Sequence, residues 1–227
     1  MSIDAVARFA AGWLALVAWS VVAFTLVERV RPRHVDHPSV RRIAIAALLL
    51  AVNAGLAQIV IRTAGFHGGR VVVTWLVAEL FHYALHRAMH RVPLLWRIHR
   101  VHHEQGPLAW TTAWYLHPID AVLIAGASVA AAAICGAGLP TAAWYVVGRR
   151  IWSIVLHANI RWPATPLDMV IATPVFHARH HREDLAPANF AATLPVLDRI
   201  FGTYRCASTR NTSACETRRS GTTEVTM

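Results

Sequence analysis

Eight of the fourteen histidines fall into three short clusters, His86-Arg-Ala-Met-His90, His99-Arg-Val-His102-His103 and His177-Ala-Arg-His180-His181. Imidazole is the commonest protein ligand for transition metals. On a helix, residues three or four apart share a face, so each cluster can aim two or three ring nitrogens at one point. A lone His-x3-His pair is usually solvated or hydrogen-bonded, but two copies of His-x2-His-His beside a third pair are hard to obtain by accident. Together the clusters supply enough nitrogens for two metal ions. All-imidazole coordination suits Fe, Zn, Cu or Ni, and Cys135, Cys206 and Cys215 form no CxxC motif, which argues against iron–sulfur or thiolate zinc. A histidine-rich pair of sites with few carboxylates fits iron that binds and activates dioxygen. Zinc is the expected substitute, since the affinity order favours it over ferrous iron.

The elements that position these residues follow from apolar runs. Val71 to Leu85 leads directly into the first cluster, and Glu79, His82, His86 and His90 recur at intervals of three, four and four along one stripe. Glu79 and His82 lie a turn or two deeper than His86 and His90. A carboxylate on the far nitrogen of a ligand imidazole fixes its tautomer, so Glu79 is expected to hydrogen-bond a ligand. His82 is a ligand or another such supporting group, and support is preferred. After Pro93, Leu94 to His103 reads as a short amphipathic surface helix with Trp96, His99 and His103 on one face. His117 precedes Pro118 and is expected to cap a helix. His157 ends another apolar run and is a candidate ninth ligand, whereas His34, His37 and His67 stand in polar loops as surface residues.

With 56% hydrophobic residues, the chain concentrates its apolar side chains in runs at Phe9–Val27, Ile43–Ile61, Val71–Leu85, Ile119–Ile134 and Leu139–Leu156. Crossing a bilayer as a helix takes ~20 such residues. The expected fold is all-α, an integral membrane helical bundle of four or five segments with a cytoplasmic histidine-rich di-metal cap. Cys135-Gly-Ala-Gly138, with Pro140, reads as a tight connection between the last two segments. The N-terminal run is longer than a signal-peptide core and is read as a retained anchor.

The net charge of +10 comes entirely from arginine. No aromatic-interleaved basic motif accompanies it, so positive-inside topology explains it better than nucleic-acid binding. Arg29, Arg31, Arg33, Arg41 and Arg42 make the first loop cytoplasmic. Following the segments from there places all three clusters on that cytoplasmic face. The expected organisation is anchor helices over 1–70, a catalytic domain over 71–206 and a disordered tail over 207–227, with all three cysteines as free thiols.

Beyond the clusters, the chain resembles the fatty acid hydroxylase and sterol desaturase superfamily of membrane di-iron oxygenases. The segment from Glu79 through Tyr83, His86 and Arg87 to His90 is similar to the family's acid-x3-Tyr-x2-His-Arg-x2-His stretch. Trp96 to His103 is similar to its second box, and His117-Pro118 to its His-Pro pair. The stretch from Thr173-Pro174 through His181 and Asn189-Phe190 to Leu197-Asp198-Arg199-Ile200-Phe201-Gly202-Thr203 resembles the C-terminal signature. Glu79 stands where Asp is usual, Leu197 where Trp is frequent and Phe190 where Tyr is frequent.

The resemblance implies two irons held by His86, His90, His99, His102, His103, His177, His180 and His181, joined by His157. It implies oxygen-dependent hydroxylation or desaturation of a lipid-like substrate such as a fatty acid, sterol, carotenoid or other terpenoid. With no flavin, haem or iron–sulfur motif in the chain, electrons are expected from a separate ferredoxin- or cytochrome-like donor with its reductase. Arg97, Arg100, Arg149, Arg150, Arg161, Arg179 and Arg182 are expected to present it with a basic face. A zinc-dependent membrane hydrolase would need a general base, and the His-Glu-x-x-His helix is absent. A metal carrier or bis-histidine haem protein would need fewer ligands.

Overall fold

The computed structural model describes residues 3–64, 70–163, 165–182 and 184–206. The expected tail at 207–227, His67 and Cys215 lie outside the described residues. Among those described, regular structure is entirely helical: α1 (Ile3–Val30), α2 (Val40–Ala64), α3 (Val71–Met89), α4 (Pro93–His103), α5 (Pro118–Ile134), α6 (Leu139–His157), α7 (Pro174–His180) and α8 (Val196–Ile200). Short 3-10 turns at Trp110–Trp114 and Pro166–Met169 link them.

Local chemistry sets these boundaries. Proline opens α4, α5 and α7, where its missing N–H costs nothing. The His117 side chain caps α5 by accepting from the Ile119 N–H at 3.2 Å. At the other end of α5, Ala137 N donates to Ala132 O at 2.7 Å and Gly136 N to Ala133 O at 3.0 Å. This Schellman closure needs the left-handed φ of +63° at Gly136, and it turns the chain straight back into α6.

Helix α6 is the hub, packing against α2, α3, α5 and α7. One apolar cluster joins Ala46, Trp110, Trp114, Ile154 and Ala158, with Phe24 stacked on Trp110 at 6.3 Å. A second, of Tyr83, Leu156, Ala172, Phe176, Phe190 and Ala191, lies beside the histidines. Polar staples tie the ends together. Glu28 Oε1 accepts main-chain N–H bonds from Trp110 and Asn159. Asn159 accepts from the N–H groups of Arg33 (2.9 Å) and His34 (3.0 Å) and donates to the carbonyls of His34 and Asp36. His34 therefore belongs to the packed α1–α2 loop, with Nε2 at 2.8 Å from Leu108 O, and is not a free surface residue.

Among the described residues no helix is long and apolar enough to cross a membrane. The first two apolar runs include side chains outside the described set. Large apolar side chains nonetheless stand exposed along several helices, among them Trp19, Leu48, Val72, Val122 and Ile151. The expectation of free thiols applies to Cys135; Cys206 is disulfide-bonded.

Candidate metal centre

Four helix ends meet at one place. His86 lies in the last turn of α3 and His90 at its C-cap. The turn at Arg91–Pro93 lets α4 fold back with His99, His102 and His103 all buried. His157 is the last residue of α6, and α7 delivers His177, His180 and, at its C-cap, His181.

The imidazoles sort into two groups, each with its candidate ligand atoms within 4.8 Å of one another: His86, His90, His99, His103 and His180, and then His102, His157, His177 and His181. The sorting follows helical spacing. On α4 the i,i+4 pair His99 and His103 serves the first group while His102 turns to the second; on α7 the i,i+4 pair His177 and His181 serves the second while His180 turns to the first. His103 and His181 stack across the boundary at 4.3 Å.

Acceptors fix the ring nitrogens. Nδ1 of His86 lies 2.7 Å from Phe190 O, of His180 2.8 Å from Ala188 O, of His157 2.7 Å from Ser153 O and of His102 3.2 Å from Tyr115 O. His99 Nδ1 is 2.8 Å from Asp120 Oδ2, both side chains buried. A carbonyl or carboxylate oxygen only accepts, so each of these rings carries its proton on Nδ1 and presents a bare Nε2. In the first group Nε2 of His90, His99, His103 and His180 is buried without a partner.

In the second group His157 Nε2 stands 3.0 Å from Nε2 of His102 and 3.0 Å from that of His177. His102 and His157 both keep their protons on Nδ1, so two lone pairs face each other with no hydrogen between them. A cation between them removes that repulsion, and the residues present therefore fit a metal in each group.

Burial, and then the neighbouring imidazoles, push the ring pKa values of His102, His103, His177, His180 and His181 down, and that of His90 to about 3. Neutral rings are what metal binding requires. The same depression links stability to pH. The unfolded chain takes up protons as pH falls below about 6.5, whereas the folded one refuses them until far lower. Stability of the metal-stripped protein should thus be complete above about pH 6.5 and decline progressively below it. Thermal unfolding of that form at about pH 7.5 and about pH 5 checks this, with the lower midpoint expected at the lower pH.

The remaining sequence candidates sit elsewhere. Glu79 does not reach a cluster imidazole; its Oε1 accepts from Tyr145 Oη at 3.0 Å and Thr193 Oγ1 at 2.9 Å, because the side chain reaches sideways towards α6 rather than up its own helix. His82, one turn below His86, belongs to neither group and contacts the carbonyls of Ala78 (2.8 Å) and Ile124 (3.0 Å). The carboxylate on an imidazole is instead that of Asp120, missed because an acid in the first turn of a helix is ordinary there; its only signal was to be a lone charge at the head of an apolar run.

Arg149 and Arg150 also depart from expectation. They face inward from α6, half-buried, with Arg150 donating to Ala113 O at 3.3 Å. Arg97, Arg100, Arg161 and Arg182 are exposed, and Arg100 and Arg182 pair with Glu104 and Asp184.

A family model described as fatty acid hydroxylase matches residues 71–203, more than half of the chain and every histidine of both groups. The chain belongs to the fatty acid hydroxylase family. Among curated relatives of this family member, it is 30% identical over 137 residues to the ornithine lipid hydroxylase OlsE of Rhizobium tropici, covering 60% of the chain and 41% of the relative. It is 33% identical over 131 residues to methylsterol monooxygenase 1 of Gallus gallus (56% and 43%). It is 29% identical over 150 residues to a very-long-chain aldehyde decarbonylase of Oryza sativa subsp. indica (65% and 55%). The chain thus spans about half the length of these relatives or less. No solved structure matches it.

Proposed function

We propose that the chain is a membrane-bound non-haem di-iron oxygenase that hydroxylates a C–H bond of a lipid-like substrate. The observation that carries this reading is the convergence of two groups of imidazoles, five of which are turned by an Nδ1 acceptor to present a bare Nε2. His86, His90, His99, His103 and His180 would hold one ion, and His102, His157, His177 and His181 the other. An iron pair bound there would supply two-electron activation of dioxygen. In the overall reaction one oxygen atom enters the C–H bond and the other leaves as water, consuming two electrons and two protons from outside the chain.

The chain's own part is orientation and exclusion of water. Asp120 and the carbonyls of Phe190, Ala188, Tyr115 and Ser153 lock the imidazoles. A cavity of about 60 Å3 lies against His86, His99 and His102, walled by Leu85, Met89 and Phe190 among others. Its lining is mixed, with Leu116 and Ile124 beside Arg149, Arg150 and Ser153.

Iron is preferred to zinc on the donor set: two adjacent all-imidazole groups with no thiolate and no carboxylate among the described residues suit dioxygen-activating iron better than a structural zinc site.

The membrane reading is supported by the exposed apolar side chains along the helices and by the ornithine lipid and methylsterol that the names of two of these relatives carry. Residues 1–70 would anchor the catalytic region 71–206, with the histidines at the cytoplasmic face. Electrons would come from a separate ferredoxin- or cytochrome-like donor, for which Arg97 and Arg161 are exposed cations on the surface. Metal analysis of the detergent-purified protein from iron-supplemented cells tests the centre. About two irons per chain is the expected result, and one zinc per chain would overturn it.

A further inference from the structure

Between α3 and α6 lies a second cavity, of about 510 Å3, within the ~300–1,000 Å3 usual for small-molecule sites. Val71, Trp75, Trp144, Trp152 and Ile171 give it apolar walls, and Val71 and Trp144 are exposed to the outside. The rest of its side-chain lining is polar: Thr74, Glu79, Thr141, Tyr145, Arg149 and Thr193. Arg149 also lines the small cavity beside His86, His99 and His102, so it forms a wall common to both.

Two of these groups leave an oxygen without a partner. Thr74 Oγ1 is buried without one. Glu79 is 1% exposed, and Tyr145 and Thr193 both donate to its Oε1, which leaves Oε2 buried without a partner too. An unsatisfied buried acceptor carries its full desolvation cost, more when charged. Packing alone gives no return for it, whereas a ligand donor would.

We propose that this cavity binds the body of a neutral lipid that already carries a hydroxyl, held between Glu79 and Arg149 at the wall shared with the cavity beside the histidines. A hydroxyl satisfies both neighbours, its O–H donating to Glu79 Oε2 and its oxygen accepting from Arg149. A free carboxylate would pair with Arg149 but set a second negative oxygen against Glu79. An alkane would leave both unpaired, and an ammonium would offer Arg149 no acceptor. Because the chamber beyond Arg149 holds only about 60 Å3, the carbon presented to the histidines lies close to the hydroxyl and not at the far end of a chain. This last consequence rests on the oxygenase reading; the binding itself does not.

Equilibrium binding of tritiated probes to the full-length protein in detergent, metal-loaded and metal-stripped, tests the site. Two pairs are used, a saturated long-chain alcohol with its methyl ether and cholesterol with its methyl ether. At least one alcohol should bind on the order of tenfold more tightly than its ether, in both metal states. In Glu79→Gln the side-chain oxygen can still accept from Tyr145 and Thr193, and an NH2 replaces Oε2, so the preference should vanish or invert towards the ether. Gly148→Leu adds a side chain where a Cβ meets nothing within 4 Å, on the wall of the cavity and at a helical position that prefers leucine. It should fold and should bind neither member of the pair. Equal binding of alcohol and ether in both pairs, or undiminished binding by Gly148→Leu, overturns the proposal. About two irons per chain with no hydroxyl preference removes this site alone. Hydroxyl-selective binding by a chain that takes up no iron keeps this site and removes the oxygenase reading.

Discussion

His157→Ala is expected to lower the metal content from about two ions per chain to about one and to reduce turnover to background. His157 is the hinge of its group: its Nε2 stands 3.0 Å from Nε2 of both His102 and His177. It also comes from α6, whereas the other members come from α4 and α7 and its C-cap. Without it the group loses its only anchor to the central helix, while the five imidazoles of the other group keep their partners. Metal analysis beside turnover reads the result. Two ions retained with full turnover would show that His157 is not a ligand.

Asp198→Ala is expected to cost both stability and metal. Its carboxylate accepts from the main-chain N–H groups of Phe190 and Ala191, each at 2.8 Å, and from Thr203 Oγ1 at 2.6 Å, in a fully buried position. Removing it strands two main-chain donors at about 1–3 kcal/mol each, a large part of a typical total stability of about 5–15 kcal/mol. The same peptide carries the carbonyl that orients His86, and loss of such a support typically weakens metal binding by about 10–100-fold. A lower unfolding midpoint together with weaker metal retention is the expected pair of results. Asp198→Asn, which keeps one acceptor oxygen, should fall between. An unchanged midpoint in Asp198→Ala would dismiss the account.

Local spacing made much of this legible. The stretches read at Leu94–His103, Ile119–Ile134 and Leu139–Leu156 lie within one or two residues of α4, α5 and α6, because proline and glycine punctuate their ends. The histidines that meet were visible for a related reason: three- and four-residue spacings survive into any helix. What escaped depends on neighbours distant in sequence. Glu79 finds Tyr145 and Thr193, 66 and 114 residues away, and no periodicity on α3 encodes that. Arg149 and Arg150 interrupt a nearly uniform apolar run, which leaves the inward face of α6 unspecified. The division of the histidines between two groups likewise appears only once α4 and α7 lie side by side.

That division has a mechanical consequence. Neither group contains a carboxylate among the described residues, so no acidic side chain bridges them. Their separation is instead graduated by the peptide backbone of α4 and α7, which deliver neighbouring residues such as His102 and His103, or His180 and His181, to opposite sides. The protein carries a gauge cut in helical pitch, one that shifts for both groups at once if either helix slides.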